Sequence, residues 1–105
     1  MDRKIASSPA EPVASELVHD ESRQRFVRPM APSDAFVTYR WQGERMVLNH
    51  IEIDRSLRGT GVGESFAKEV LTHLQDSPLE IRLTCPYLRY VASTNEQWRR
   101  KYAVT

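Results

Sequence analysis

Arg58-Gly59-Thr60-Gly61-Val62-Gly63 places three glycines at alternate positions, where an apolar, alternating segment from Arg45 to Asp54 gives way to a helical pattern. Glycines strip side chains from a loop that opens a helix. Backbone N–H groups then stand bare beside the positive end of the helix dipole, worth about half an elementary charge, which suits a phosphate or pyrophosphate. The residues narrow the choice. A P-loop requires Gly-Lys-Ser/Thr, with the lysine on the outer phosphates and the hydroxyl on magnesium, but Glu64 follows Gly63, which argues against a nucleoside triphosphate. A dinucleotide fingerprint requires Gly-x-Gly-x-x-Gly, and Glu64 and Phe66 stand where the third glycine of the two possible frames belongs. The spacing that fits is Arg-x-x-Gly-x-Gly, carried by Arg58, Gly61 and Gly63. A guanidinium at the loop entrance complements phosphate whatever the chemistry.

The elements around the loop follow from periodicity. Leu17 to Met30 has two apolar pairs, Leu17-Val18 and Phe26-Val27, around the polar Asp20-Glu21-Ser22, and reads as two short strands. Ala35 to Trp41 alternates: Ala35, Val37, Tyr39 and Trp41 face one way, Phe36, Thr38 and Arg40 the other. Gln42-Gly43-Glu44 turns it into a hairpin with the next segment. Strict alternation there puts Met46, Leu48, His50 and Glu52 on one face and Val47, Asn49, Ile51 and Ile53 on the other, both mostly apolar, as in a central strand. From Gly61, Val62, Phe66, Val70, Leu71 and Leu74 recur at helical spacing, with Glu64 and Lys68 as an outward pair and Ser77-Pro78 as the stop. Glu80 to Thr84 is a further strand; Pro86 suits a first helical position, which makes Cys85 the N-cap of a short helix over Tyr87 to Ala92. Ser93 with Glu96 and Thr94 with Gln97 have capping-box spacing and predict a last helix carrying Trp98 and Tyr102. The fold class is α/β, with an antiparallel start and a right-handed strand-helix-strand crossover from Arg45 to Thr84.

Composition excludes several classes. The chain of 105 residues holds one domain with a modest core. Residues 1–16, rich in Ala, Ser, Pro and Glu, read as a mobile tail, and residues 17–105 as the domain. A net charge of +1 with 28% charged residues is too balanced for a nucleic-acid-binding surface, and Arg99-Arg100-Lys101 reads first as a solvated helix face. One cysteine excludes a disulfide framework and a cysteine-rich zinc site. No segment has the length and hydropathy of a membrane span or the apolar core of a signal peptide, so the expected location is cytoplasmic.

The Arg58 to Gly63 loop resembles that with which GCN5-related N-acetyltransferases hold the pyrophosphate of acetyl-coenzyme A. The resemblance extends to small, shortened, single-domain members with a His-x-Glu-Val-like strand and a Cys-Pro-Tyr-like segment, here His50-Ile51-Glu52-Ile53 and Thr84-Cys85-Pro86-Tyr87-Leu88. It covers nearly everything from Val18 to Tyr102, and departs where a His-Pro-like pair before an aromatic residue is replaced by Asn95-Glu96-Gln97-Trp98. What it implies is a mixed antiparallel and parallel sheet flanked by helices, in a shortened acyl-coenzyme A transferase fold. It further implies acetyl transfer from a thioester sulfur to an amine, with no metal. Arg58, Gly59, Thr60, Gly61, Val62 and Gly63 would hold the pyrophosphate, and backbone groups of Ile51, Glu52 and Ile53 the pantetheine arm. The expected partners are acetyl-coenzyme A and an amine, small molecule, peptide or protein, with no nucleic acid or membrane and a monomeric or weakly dimeric chain. A short N-terminal region points to an open acceptor site suited to a protein or polyamine.

Four side chains are candidates for the chemistry, each with a plainer alternative. His50 and Glu52 share a strand face, and either could take the proton of an ammonium substrate; equally, His50 is a structural strand residue and Glu52 a rim carboxylate. Cys85, at a helix N-terminus where the dipole favours thiolate, could accept the acetyl group transiently, or be a small buried hydrophobe. Tyr87 could protonate the departing thiolate, a role for which the sequence does not separate it from Tyr90, or both could be core aromatics. Two rival functions accompany this reading. One is a coenzyme A-binding module with little turnover; the other is a nucleic-acid binder using Trp98, Arg99, Arg100, Lys101 and Tyr102.

Overall fold

A computed structural model describes residues 17–104; the tail expected over residues 1–16 lies outside the described residues. Five strands form one sheet in chain order: β1 (Val18–Asp20), β2 (Arg25–Arg28), β3 (Ala35–Gln42), β4 (Arg45–Glu52) and β5 (Glu80–Leu83). The first three pairings are antiparallel and the β4–β5 pairing is parallel, as the crossover requires. Helices α1 (Val62–Leu74), α2 (Pro86–Ser93) and α3 (Glu96–Lys101) complete the fold. Among the described residues, no helix is long and apolar enough to cross a membrane.

The three helices contribute to one core. Phe66, Ala67, Val70, Leu71 and Leu74 of α1, with Leu88, Val91 and Ala92 of α2, cluster with Val37, Tyr39, Met46, Leu48, Ile81 and Leu83 from one face of the sheet. Each large apolar side chain buried this way is worth about 1.5–3 kcal/mol. The opposite face, with Thr38, Arg40, Asn49, His50 and Arg82, belongs to no such cluster and is largely polar.

Strict alternation fails within β4. Thr38 pairs with His50 but Tyr39 pairs with Leu48, so Asn49 is an extra residue, a β-bulge, with its amide oxygen 2.6 Å from the Thr38 hydroxyl. Beyond the bulge the faces exchange. Ile51 and Ile53 join Met46 and Leu48 on the core side, and His50 and Glu52 turn to the open face, contrary to the even alternation read from sequence. Periodicity alone carries no sign of one unpaired residue.

The last helix also starts differently. Asn95 is its N-cap, accepting from the Trp98 N–H at 3.1 Å, while the Ser93 and Thr94 hydroxyls donate backward to the carbonyls of Tyr90 and Val91. Ser93 and Thr94 therefore close α2 rather than open α3. The side chains of α3 then hold the end of α1. Trp98 Nε1 donates to Gln75 Oε1 at 2.8 Å, Lys101 Nζ to the carbonyls of Ser77 and Leu79, and the buried Tyr102 hydroxyl to the Leu71 carbonyl at 2.6 Å. With Trp98 and Tyr102 buried, the aromatic-basic run offers no stacking faces for bases. Gln75, whose N–H turns to Thr72, leaves the Leu71 carbonyl to Tyr102 alone. Tyr102→Phe is therefore expected to cost about 1–3 kcal/mol. Thermal unfolding should register it as a Tm lowered by roughly 4–8 °C per kcal/mol, and an unchanged Tm would rule out this capping role.

Candidate active site

The two parallel strands part at a single carbonyl. Leu48 O accepts from Thr84 N–H at 3.0 Å and Cys85 N–H at 3.4 Å; the β4–β5 register ends at Leu48 and Leu83, while β4 runs on to Glu52 paired only to β3. Past Leu48, the other edge of β4 has no strand partner among the described residues. The chain leaving β5 instead turns at Cys85, and Pro86 at the first helical position starts α2, so a wedge opens between β4 and α2.

The glycine loop closes the wide end of this wedge. A 3-10 turn over Arg55–Leu57 is capped by Asp54, whose carboxylate accepts from the Ser56 N–H at 2.9 Å and hydroxyl at 2.6 Å and from the Ser33 hydroxyl at 3.0 Å. Those bonds from Ser56, then Ser33, and more weakly the charge of Arg58, hold the Asp54 carboxyl below the usual range. Gly59 and Gly61 follow with φ of 81° and 93°, left-handed values that side-chain-bearing residues rarely adopt, and Gly61 is the N-cap of α1. The first helical bond is Ser65 N–H to Gly61 O at 3.0 Å. The N–H groups of Gly59, Gly61, Gly63 and Glu64 consequently have no intramolecular acceptor among the described residues. A cleft of about 470 Å³ lies before them, lined by Ile51 and Ile53 from β4, Arg58, the glycines, Glu64 and Tyr87. A Cβ added at Gly63 would point into its crease, 3.6 Å from Ile53 Cγ1 and 3.8 Å from the Tyr87 hydroxyl. Bare N–H donors, a guanidinium without a partner among the described residues and an apolar wall suit an extended ligand that carries a phosphate at one end.

Tyr87 is 38% exposed and reaches over the first turn of α1, whereas Tyr90, 60% exposed, lies outside the cleft. Burial, and then the Glu64 charge, push the Tyr87 phenol above its usual range, so it stays protonated through neutral pH. On the other side of β4, His50 Nε2 lies 2.9 Å from Glu52 Oε1, both side chains about half exposed. Cys85 is buried in the core and is not part of the cleft wall.

Comparison with known proteins decides the family. Residues 25–101 match the sequence model described as GCN5-related N-acetyl-transferase. The chain belongs to that family. Among solved structures it is similar to a Staphylococcus aureus protein described as a GCN5-like candidate N-acetyltransferase, solved in solution by NMR, with TM-score 0.59, 21% identity, 89% of this chain and 90% of that one covered. That likeness bears on the fold, which is the mixed α/β sheet with flanking helices of GCN5-related N-acetyltransferases. A search of curated proteins finds no match.

The residues chosen from sequence divide among four places. Ile51, Ile53, Arg58, Gly59, Gly61, Gly63 and Tyr87 meet around the cleft. Thr60 and Val62 alternate to a separate recess with Arg28 and Met30, and the Thr60 hydroxyl bonds back to the Leu57 carbonyl. His50 and Glu52 stay together but on the open face, and Cys85 belongs to the core. Sequence reasoning missed Glu64 as a cleft residue, seeing only its ion pair with Lys68, which forms at 3.1 Å. Its place in the first turn after the N-cap was the available signal.

Proposed function

We propose that the chain is an acetyl-coenzyme A-dependent N-acetyltransferase that transfers acetyl to an amine by direct attack on the thioester. The observation carrying this reading is the set of N–H groups at Gly59, Gly61, Gly63 and Glu64 that have no acceptor among the described residues, facing a cleft whose other wall is the edge of β4 left unpaired among those residues. Arg58 and the glycine amides would hold the pyrophosphate, and the Ile51 to Ile53 backbone the pantetheine arm by strand addition. Acetyl-coenzyme A supplies the activated thioester when bound. The protein's own part is proton transfer and alignment: as the C–N bond forms and the C–S bond breaks, His50 or Glu52, which stand on the opposite face of β4 from the cleft, would take the amine proton through water, and the Tyr87 phenol would give one to the departing thiolate. Burial of Cys85 in the core supports direct transfer over an acetyl-cysteine route. The Cys85-Pro86-Tyr87 segment is read as the mark of a small subfamily because it performs one local task, stopping β5, starting α2 and delivering Tyr87 to the cleft.

Calorimetric titration with acetyl-coenzyme A, paired with free-thiol release in the presence of amines, tests this reading. Binding with amine-dependent thiol release is expected. Binding without release would instead make the chain a coenzyme A-binding module, and no binding at millimolar concentration would overturn both.

A further inference from the structure

The glycine loop has a bare side and an anchored side. Gly59, Gly61 and Gly63 line the cleft with no side chain to fix them there, while Thr60 and Val62 alternate to the back, into a recess of about 460 Å³ bordered by Arg28, Met30, Leu57 and Ser65. Met30, Leu57 and Val62 pack from that recess against the core. The aim of the loop's amides is therefore set from behind.

Those amides ride on the first turn of α1, so a slide or rotation of the helix over the sheet re-aims them. Apolar packing opposes such motion without preferring a direction. A directional tie does exist: Arg28, the last residue of β2, brings Nη1 to 3.1 Å from Oε1 of Glu69, with side chains only 19% and 18% exposed. Among the described residues, no other ion pair or hydrogen bond joins α1 to the sheet. The far end of α1 is held instead from α3, by Trp98 on Gln75 and Tyr102 on the Leu71 carbonyl.

The tie is one of charge. Both Glu69 oxygens are buried without a hydrogen-bond partner among the described residues, so the Arg28 contact is an ion pair off the line of an N–H bond, and Arg28 is the ion-pair partner that offsets burial of the carboxylate. Removing either member of a mostly buried pair leaves the other uncompensated, which an exposed pair would not do.

We propose that Arg28 and Glu69 are positioning residues for the glycine loop: their ion pair fixes α1 against β2 with the N–H groups of Gly61, Gly63 and Glu64 aimed into the cleft, and so sets the affinity for acetyl-coenzyme A without touching it. This rests on the coenzyme binding proposed above. It separates Arg28 from Arg58, whose guanidinium lines the cleft itself.

The test is calorimetric titration with acetyl-coenzyme A alongside steady-state kinetics. Arg28→Gln and Glu69→Gln should each raise Kd about tenfold, with KM for acetyl-coenzyme A rising in parallel and kcat at saturation within about twofold. The sign at Glu69 is the discriminating result, because charge alone predicts tighter binding of an anion once a carboxylate is removed. The exchanged chain, Arg28→Glu with Glu69→Arg, restores opposite charges and should return Kd to within about threefold of the original. Arg45→Gln, which breaks the ion pair to Glu80 at the other end of β4, should leave Kd unchanged. Should a glutamine variant fail to fold, Arg28→Lys keeps opposite charges at the site with a shorter reach and should bind about threefold more weakly. Unaltered affinity in Arg28→Gln, or in Arg28→Lys where the former does not fold, would overturn the proposal. So would tighter binding by Glu69→Gln, or an exchanged chain as weak as Arg28→Gln. No binding by the unsubstituted chain overturns the proposed function itself, whereas normal binding that these variants leave intact overturns only the positioning role.

Discussion

Gly61→Asp is expected to abolish acetyl-coenzyme A binding while leaving a folded protein. Gly61 caps α1 with φ of 93° and ψ of −7°, a left-handed conformation that aspartate and asparagine tolerate better than other residues, at a cost of order 1 kcal/mol. A Cβ built there meets nothing within 4 Å, so the fold has room for the side chain. The new carboxylate, however, stands where the unpaired N–H groups of Gly61, Gly63 and Glu64 await an anion. Like charges brought together at an interface cost several kcal/mol, which corresponds to an affinity loss of about a hundredfold or more. Gly61→Asn separates charge from backbone strain, since it makes the same demand on φ without the carboxylate and should lose far less. Equal affinities for the two variants in calorimetric titration would contradict an anion at this loop.

The second large effect is expected at Tyr87. Its hydroxyl hangs over the first turn of α1 on the cleft side, and under the proposed function it protonates the departing sulfur. Tyr87→Phe should lower kcat by about a hundredfold or more, within the usual range for losing a general acid, with KM for acetyl-coenzyme A little altered. The pH profile gives the independent sign. Burial, and then Glu64, raise the folded phenol's pKa above the usual value of 10.0, so the acid form persists to higher pH and the alkaline fall in kcat belongs above that value. Tyr87→Phe removes that limb. Tyr90→Phe, at the more exposed tyrosine outside the cleft, should keep it. A Tyr87→Phe enzyme with near-normal kcat would remove Tyr87 from the proton path.

The parts of the fold legible in the residues are those with a local cause. Alternation marked β3, helical recurrence marked α1, and Pro86 after Cys85 marked the start of α2, because each expresses a constraint within a few residues. The loop was legible for the same reason, since left-handed backbone at Gly59 and Gly61 is a demand only glycine meets cheaply. The bulge at Asn49 was not, because its cause lies in how β4 pairs with β3 rather than in its own pattern, and it moves His50 and Glu52 to the far side of the sheet from Ile51 and Ile53. The start of α3 was misjudged because three successive residues, Ser93, Thr94 and Asn95, can all cap; the choice falls to Asn95 once the other two bond back to α2. A recess on the open face, bounded by Arg25, Phe36, Glu52 and Arg55, joins residues from three separate stretches of chain, and no short-range signal connects them.

Backbone amide resonances followed by NMR during titration with coenzyme A test the central claim most directly, because the claim concerns N–H groups and NMR observes them. The largest shifts are expected at Gly59, Gly61, Gly63 and Glu64, with a second set along Ile51 to Ile53. Shifts concentrated elsewhere, with these amides unmoved at saturating coenzyme A, would contradict it.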